Sequence, residues 1–327
     1  MKTVDDDLAY LDDERLVAIF QPLAARKFKQ LRQGKLRFAY YTTAEGADGI
    51  LATSTIWMRN AQTMNDAREV MHGFECLARA LSTEAGTALR QSMDELHPDV
   101  SAEVIHDLSV WRPGMHYGTF LACVSEHTSK DDEHGRLSMW RAYGGRAGVA
   151  IVINLRKVME SNGAVFGVQA SPVTYGLVNS FEEHLYRLAD NVRSNRESLI
   201  PLGRKRLAIA AFDALRMLAL CAKHPGFEEE QEWRVIASPD LYEIKIGRRD
   251  IEVIRGVPQA VVKLQLRNRP ELGLDGMSLA DLIERVIVGP CEFPHVVADA
   301  LYRRLSAAGI PNADAKIRLS QIPLRHN

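Results

Sequence analysis

The chain has 327 residues and a mass of 36.6 kDa, with 46% hydrophobic and 25% charged residues and a mean hydropathy of −0.17. This balance excludes a mostly disordered or low-complexity chain and is compatible with one large domain or two ordinary ones. Forty-one Lys and Arg against 42 Asp and Glu give a net charge of −1, which excludes a globally basic nucleic-acid coat and a strongly acidic mimic.

Four well-separated cysteines, Cys76, Cys123, Cys221 and Cys291, form no CxxC pair and read as reduced thiols of a cytoplasmic protein. The acidic start, Met1 to Asp7, does not resemble a signal peptide, and no apolar stretch is long enough to span a membrane. Asp5 to Glu14 is acidic, whereas Arg15 to Ala44 holds no Asp or Glu and carries Arg15, Arg26, Lys27, Lys29, Arg32, Lys35 and Arg37. Leu8, Leu11, Ile19, Phe20, Leu23, Phe28 and Leu31 recur at helical spacing, predicting amphipathic helices stopped by Gly34. This basic face is either simply solvated or a contact for a partner or nucleic acid.

Strands are predicted over 36–42 and 54–58, with a short helix over 43–51 between them. Residues 66–110 and 181–222 are helical, the latter interrupted at Pro201. Further strands are predicted over 118–124, 148–155, 230–237, 257–266, 285–288 (ended by Gly289-Pro290) and 315–320, with a helix over 295–308. Strands early, central and late without regular βα alternation predict an α+β fold. The expected layout is a helical extension over 1–35 and a single domain over 36–327, with 66–110 and 181–222 as helical insertions.

Glu230 to Ile236 carries the most chemistry. Alternation on a strand puts Glu230, Glu232 and Arg234 on one face and Trp233 on the other. Two carboxylates about 7 Å apart leave room for a hydroxyl or ribose, one to orient or deprotonate a nucleophile and the other to stabilise an oxocarbenium-like cation. The same residues also suit a surface salt-bridge ladder. Ser125 ends an apolar strand, and Trp140 and Tyr143 share a helix face able to stack on a flat ring, although Trp140 also suits a core. Gly144, Gly145 and Gly148 lead into a strand, so no dinucleotide fingerprint is present. Glu126, His127, Asp131, Asp132, Glu133 and His134 lack metal-ligand spacing, and no metal is expected. Asn65-Asp66 with Glu69 reads as a helix cap.

As an ordered set, Tyr40-Tyr41-Thr42-Thr43, Trp57, Asn65-Asp66 with Glu69, Cys123-Val124-Ser125, Met139-Trp140-x-x-Tyr143, Gly148-Val149, Glu230-x-Glu232-Trp233-Arg234, Val286 to Pro290 and Ser320 to Pro323 resemble a family of bacterial proteins named only as domain of unknown function 2971. Its layout is similar to the ADP-ribosyltransferase group. The resemblance implies a mixed or antiparallel sheet of that type, with NAD lying across it as substrate. Glu232 and Glu230 would be catalytic: Glu232 would hold the nicotinamide ribose and steady the cation, and Glu230 would orient an unidentified macromolecular acceptor. Arg37, Tyr40, Thr42, Ser125, Trp140, Tyr143 and Arg234 would contact NAD, with Arg234 on phosphate. Relatives often carry His where this chain has Tyr40, a departure that points to altered chemistry.

The leading expectation is an ADP-ribosyltransferase or NAD glycohydrolase, acting in phage defence or as a toxin. One rival is a non-catalytic nucleic-acid- or protein-binding module using residues 15–37. The other is a hydrolase of nucleotide or glycosidic bonds using Glu230 and Glu232.

Overall fold

The computed structural model describes residues 14–63, 68–156, 167–254 and 256–323. The acidic tip before Glu14 and the cap at Asn65-Asp66 lie outside them. Helices α1 (Glu14–Phe20) and α2 (Pro22–Arg32) come first. Pro22 begins α2, where a missing N–H leaves no hydrogen bond unmade, and Gly34 at φ 70° turns the chain out of it. Strand β1 (Arg37–Thr43) leads into α3 (Ala44–Thr53), capped by Thr43 Oγ1 accepting from Gly46 N at 3.2 Å, and then β2 (Thr55–Asn60).

Helices α4 (Arg68–Leu81), α5 (Glu84–Asp94) and α6 (Val100–Gly118) follow. Helix α6 runs past the expected strand start at Gly118, with its Pro113 exposed on the outer side. Next come β3 (Phe120–His127), α7 (Leu137–Tyr143), β4 (Ala147–Ile153), β5 (Val168–Pro172) and β6 (Thr174–Tyr175). The chain continues through α8 (Val178–Ser194), α9 (Gly203–Leu220), β7 (Ala222–Lys223) and a 3₁₀ turn, Pro225–Glu230. It ends with β8 (Glu232–Ala237), β9 (Gly247–Ile254), β10 (Val257–Gln265), β11 (Ile283–Cys291), α10 (Pro294–Ala307) and β12 (Ile317–Leu319).

Ten strands form one mainly antiparallel sheet in the order β12-β11-β4-β1-β3-β2-β10-β9, with β8 also paired to β3 and β5 to β8. Within it, β11 and β12 run parallel. Central β4, all apolar apart from its glycine, is buried on both faces, as its unbroken hydrophobic run requires. The architecture is therefore mixed α+β with a mainly antiparallel sheet.

One face of the sheet packs on α2, α3 and α10, through Phe38, Val124, Trp233, Ile151 and Val286 among others. The opposite face carries α7 over Ala39, Tyr41, Ala150 and Val152. Farther along that face, α1, α4, α5, α6, α8 and α9 form one apolar cluster reaching Leu121 and Ile236. Close approach of α4 to α9 depends on Gly73, where a Cβ would lie 1.9 Å from Ala219 O. Between α7 and this helical cluster a strip of the sheet is left for polar side chains.

The boundaries differ from the expected ones in three instructive places. Glu230 is not in a strand: Gln231 adopts φ 45°, and the strand begins at Glu232. Gly289-Pro290 does not end β11, which continues to Cys291 beside β4 with a register shift. Strands β5 and β9 were not expected, since β5 is short and β9, Gly-Arg-Arg-Asp-Ile-Glu-Val-Ile, is heavily charged and lies at the sheet edge. Among the described residues no helix is long and apolar enough to cross a membrane.

Candidate functional site

The antiparallel ladder of β3 and β8 sets Ser125 opposite Glu232 and Cys123 opposite Arg234, while β1 sets Ala39 opposite Ser125. The two-residue period then directs Ala39, Tyr41, Cys123, Ser125, Glu232 and Arg234 to one face. All of these but Arg234, together with Val124, Met139, Tyr143 and Glu230, enclose a niche of about 30 Å³. That is space for a water or two.

Lys223 links the two carboxylates. Its Nζ donates to Glu230 Oε2 and to Glu232 Oε2, each at 2.8 Å. Arg234 Nε donates to Glu232 Oε1 at 2.9 Å, and a second guanidinium nitrogen donates to Leu220 O at 2.6 Å. Tyr143 Oη donates to Glu230 Oε2 at 3.2 Å, and Glu232 N donates to Tyr175 Oη at 2.7 Å. Lys223, Glu230, Glu232 and Arg234 are all buried, so the cluster holds two negative and two positive groups away from water.

Glu230 reaches this cluster from the 3₁₀ turn rather than by strand alternation. Arg136 holds that turn in place, donating to Glu229 O at 2.9 Å, Glu230 O at 3.0 Å and Glu126 O at 2.9 Å. Gln231 takes up the reversal in the left-handed region, a conformation that non-glycine residues adopt at some cost.

Burial favours the neutral form of Glu232, but the Arg234 guanidinium and the Lys223 ammonium outweigh it and hold the carboxyl at about 2, below its ordinary 4.5. Burial, reinforced by the Glu232 charge, pushes the Cys123 thiol well up, so it favours the protonated form at neutral pH. Burial likewise raises the Tyr143 phenol, against the influence of Lys223. Because Glu232 is depressed on folding, its stabilisation is complete above about 4.5 and is lost as pH falls towards about 2. Urea titrations at pH 7 and pH 3 should therefore show a larger acid loss in the wild type than in Glu232→Gln.

Of the residues singled out from sequence, Glu230, Glu232, Ser125, Tyr143 and Arg234 converge here, and four others do not. Tyr40 lies one residue out of phase with Ala39 and Tyr41, so it packs on the opposite face, where burial pushes its phenol up to about 12. Tyr41 takes the niche side instead, its Oη accepting from Arg136 N at 2.9 Å. Thr42 shares the side of Tyr40 and abuts Gly46 of α3, where a Cβ would lie 2.3 Å from Thr42 Oγ1. Arg37 sits at the far end of β1, paired with Asp132 at 3.0 Å and Glu284 at 2.9 Å.

Trp140 is a core plug, not a stacking surface. It is 1% exposed, donates Nε1–H to His134 O at 2.8 Å and meets Tyr41 edge-on at 4.9 Å. A Cβ at Gly148 or Gly289 would come within 3.0 or 2.8 Å of its ring, which explains both glycines. Arg234 belongs to the cluster, but at 1% exposure and with Glu232 and Leu220 O as partners it has no phosphate-facing side.

Lys223, Tyr175 and Arg136 were not picked out as functional from sequence. Lys223 had one signal, its place at the head of the segment bearing Glu230 and Glu232; the other two join the site through space. In the basic interval, Lys27 pairs with Glu126 at 2.7 Å and Arg37 with acidic neighbours, whereas Arg26, Lys29 and Lys35 are exposed. Asp131 and Asp132 engage Arg136, Arg37, Arg285 and His127. Among the described residues no group of three or more His, Cys, Asp or Glu is placed to hold a metal.

No curated protein and no solved structure matches the chain. A family model does match, over residues 139–235, under a third of the chain and narrower than the residue resemblance over 36–325. The matched segment runs from α7 to β8 and contains Tyr143, Lys223, Glu230, Glu232 and Arg234. Over that segment the chain is similar to the family described as protein of unknown function (DUF2971).

Proposed function

We propose that the chain cleaves the N-glycosidic bond of NAD or a related nucleotide, as an ADP-ribosyltransferase or NAD glycohydrolase. The observation that carries this reading is the state of Glu232: an ionised carboxylate, fixed by Lys223 and Arg234, facing Ser125 across the β3–β8 ladder. As the glycosidic bond breaks, its electron pair leaves with the nicotinamide nitrogen and positive charge develops on the ribose. A carboxylate already oriented and charged lowers that barrier without reorganising. Glu230 would take the proton of the attacking water or acceptor hydroxyl, and Ser125 would hold a ribose hydroxyl. The accompanying fold reading is an ADP-ribosyltransferase-type sheet, supported by the way β1, β3 and β8 present the niche side by side.

A volume of about 30 Å³ does not admit a nicotinamide ribose as the niche stands. The contact to be broken on entry is Tyr143 to Glu230, a hydrogen bond of 3.2 Å. Incubation with NAD should release nicotinamide, and Glu232→Gln should reduce the rate at least about 100-fold. Ser125→Ala should reduce it about tenfold with an unchanged circular dichroism spectrum, which separates catalysis from folding. The reading fails if the wild type neither binds NAD nor releases nicotinamide with water or any offered acceptor. Glu232-dependent release of bases from nucleotides lacking nicotinamide would instead identify the hydrolase alternative.

A further inference from the structure

A second cavity of about 600 Å³ opens beside the niche and contains neither Glu230 nor Glu232. Small-molecule sites occupy about 300–1,000 Å³, so this cavity, unlike the niche, is of ligand size. One wall is a face of α4, where His72, Glu75 and Arg79 recur at helical spacing. The other wall runs from Tyr175 to Ser180. Arg79 is exposed, and its guanidinium has no hydrogen-bond or ion-pair partner among the described residues.

We propose that this cavity binds a nucleoside monophosphate, with the phosphate on Arg79 and the base against the Tyr175 ring. A guanidinium suits a phosphate because its planar donors match two oxygens at once. Tyr175 supplies an aromatic surface, and Asn179 and Ser180 supply short polar groups for ribose hydroxyls. Arg79 is the guanidinium among the lining residues and Glu75 is exposed on the same α4 face, so one phosphate has a cationic partner and each further phosphate would add uncompensated repulsion. This is why a monophosphate fits better than a longer chain.

The site is separate from the niche yet joined to its frame. Tyr175 Oη accepts from Glu232 N at 2.7 Å, and Gly176 N donates to Lys223 O at 3.0 Å. A ligand on Tyr175 therefore touches the residue that holds the backbone of Glu232. The proposal stands whether or not NAD is cleaved.

Isothermal titration of the full chain with AMP and UMP tests it, with adenosine and inorganic phosphate as comparisons. Saturable binding of at least one nucleotide is expected, weakened about tenfold or more by Arg79→Glu. Glu232→Gln should leave that binding intact, and adenosine should bind more weakly than AMP. Arg79 is exposed, so Arg79→Glu and Arg79→Gln should both melt at the wild-type temperature. The proposal is overturned if neither nucleotide binds up to about 1 mM. Binding unchanged in Arg79→Glu, or adenosine binding as tightly as AMP, also overturns it.

Discussion

Lys223→Met should lower the unfolding free energy by about 3–5 kcal/mol at neutral pH, the cost of removing one partner from a buried ion pair. Methionine preserves much of the lysine stem, so the loss is mainly electrostatic. Lys223 is 3% exposed and bonds both carboxylates, so without it Glu230 and Glu232 lie buried together without the ammonium that bridges them. Such a pair favours uptake of a proton. The deficit should therefore shrink between pH 7 and pH 4, as urea titrations at the two values would reveal. Adding Glu230→Gln should recover part of the loss, because the two substitutions act on one contact and are not additive. A deficit below about 1 kcal/mol would mean that the carboxylates tolerate one another without the ammonium.

Arg216→Met is expected to be comparably damaging, at about 3–5 kcal/mol, for a reason remote from the niche. Arg216 and Asp213 are both fully buried on α9, with the guanidinium 2.8 Å from Asp213 Oδ1. The same carboxylate accepts from Gln169 Nε2 at 2.9 Å and Tyr242 Oη at 3.1 Å, while Arg216 also donates to Ser238 Oγ at 3.2 Å and to Gln169. This network fastens α9 to β5 and to the segment after β8. Removing the arginine leaves a buried carboxylate with neutral donors only. The double variant Asp213→Leu with Arg216→Met should be more stable than Arg216→Met alone, since an apolar pair leaves no uncompensated charge. Thermal melts of the three proteins would show the order.

Patterns of burial were legible in the sequence wherever one chemical signal dominated. The apolar run of β4 and the helical spacing of 181–222, broken at Pro201, lie near their expected bounds. The carboxylate pair was legible too, although its geometry was not. Glu230 and Glu232 were expected together by strand alternation, whereas a left-handed Gln231 separates them and Lys223 brings their oxygens back to one point. The choice between Tyr40 and Tyr41 was illegible, because strand parity is set by the partners of β1 and not by two consecutive tyrosines. Trp140 suits a stacking ring by residue type, and its enclosure shows only in the fold, where Gly148 and the sequence-distant Gly289 close on it. Charged β9 shows the opposite limit: at an edge, strand formation needs few apolar residues.

The central claim, that Glu232 is placed to stabilise charge on a ribose, is tested most directly by a crystal structure of Glu232→Gln soaked with NAD. The predicted result is a nicotinamide ribose within hydrogen-bonding distance of position 232 and of Ser125, with Tyr143 displaced from Glu230. A niche unchanged at about 30 Å³ with Tyr143 still on Glu230, whether NAD binds elsewhere or not at all, would contradict it.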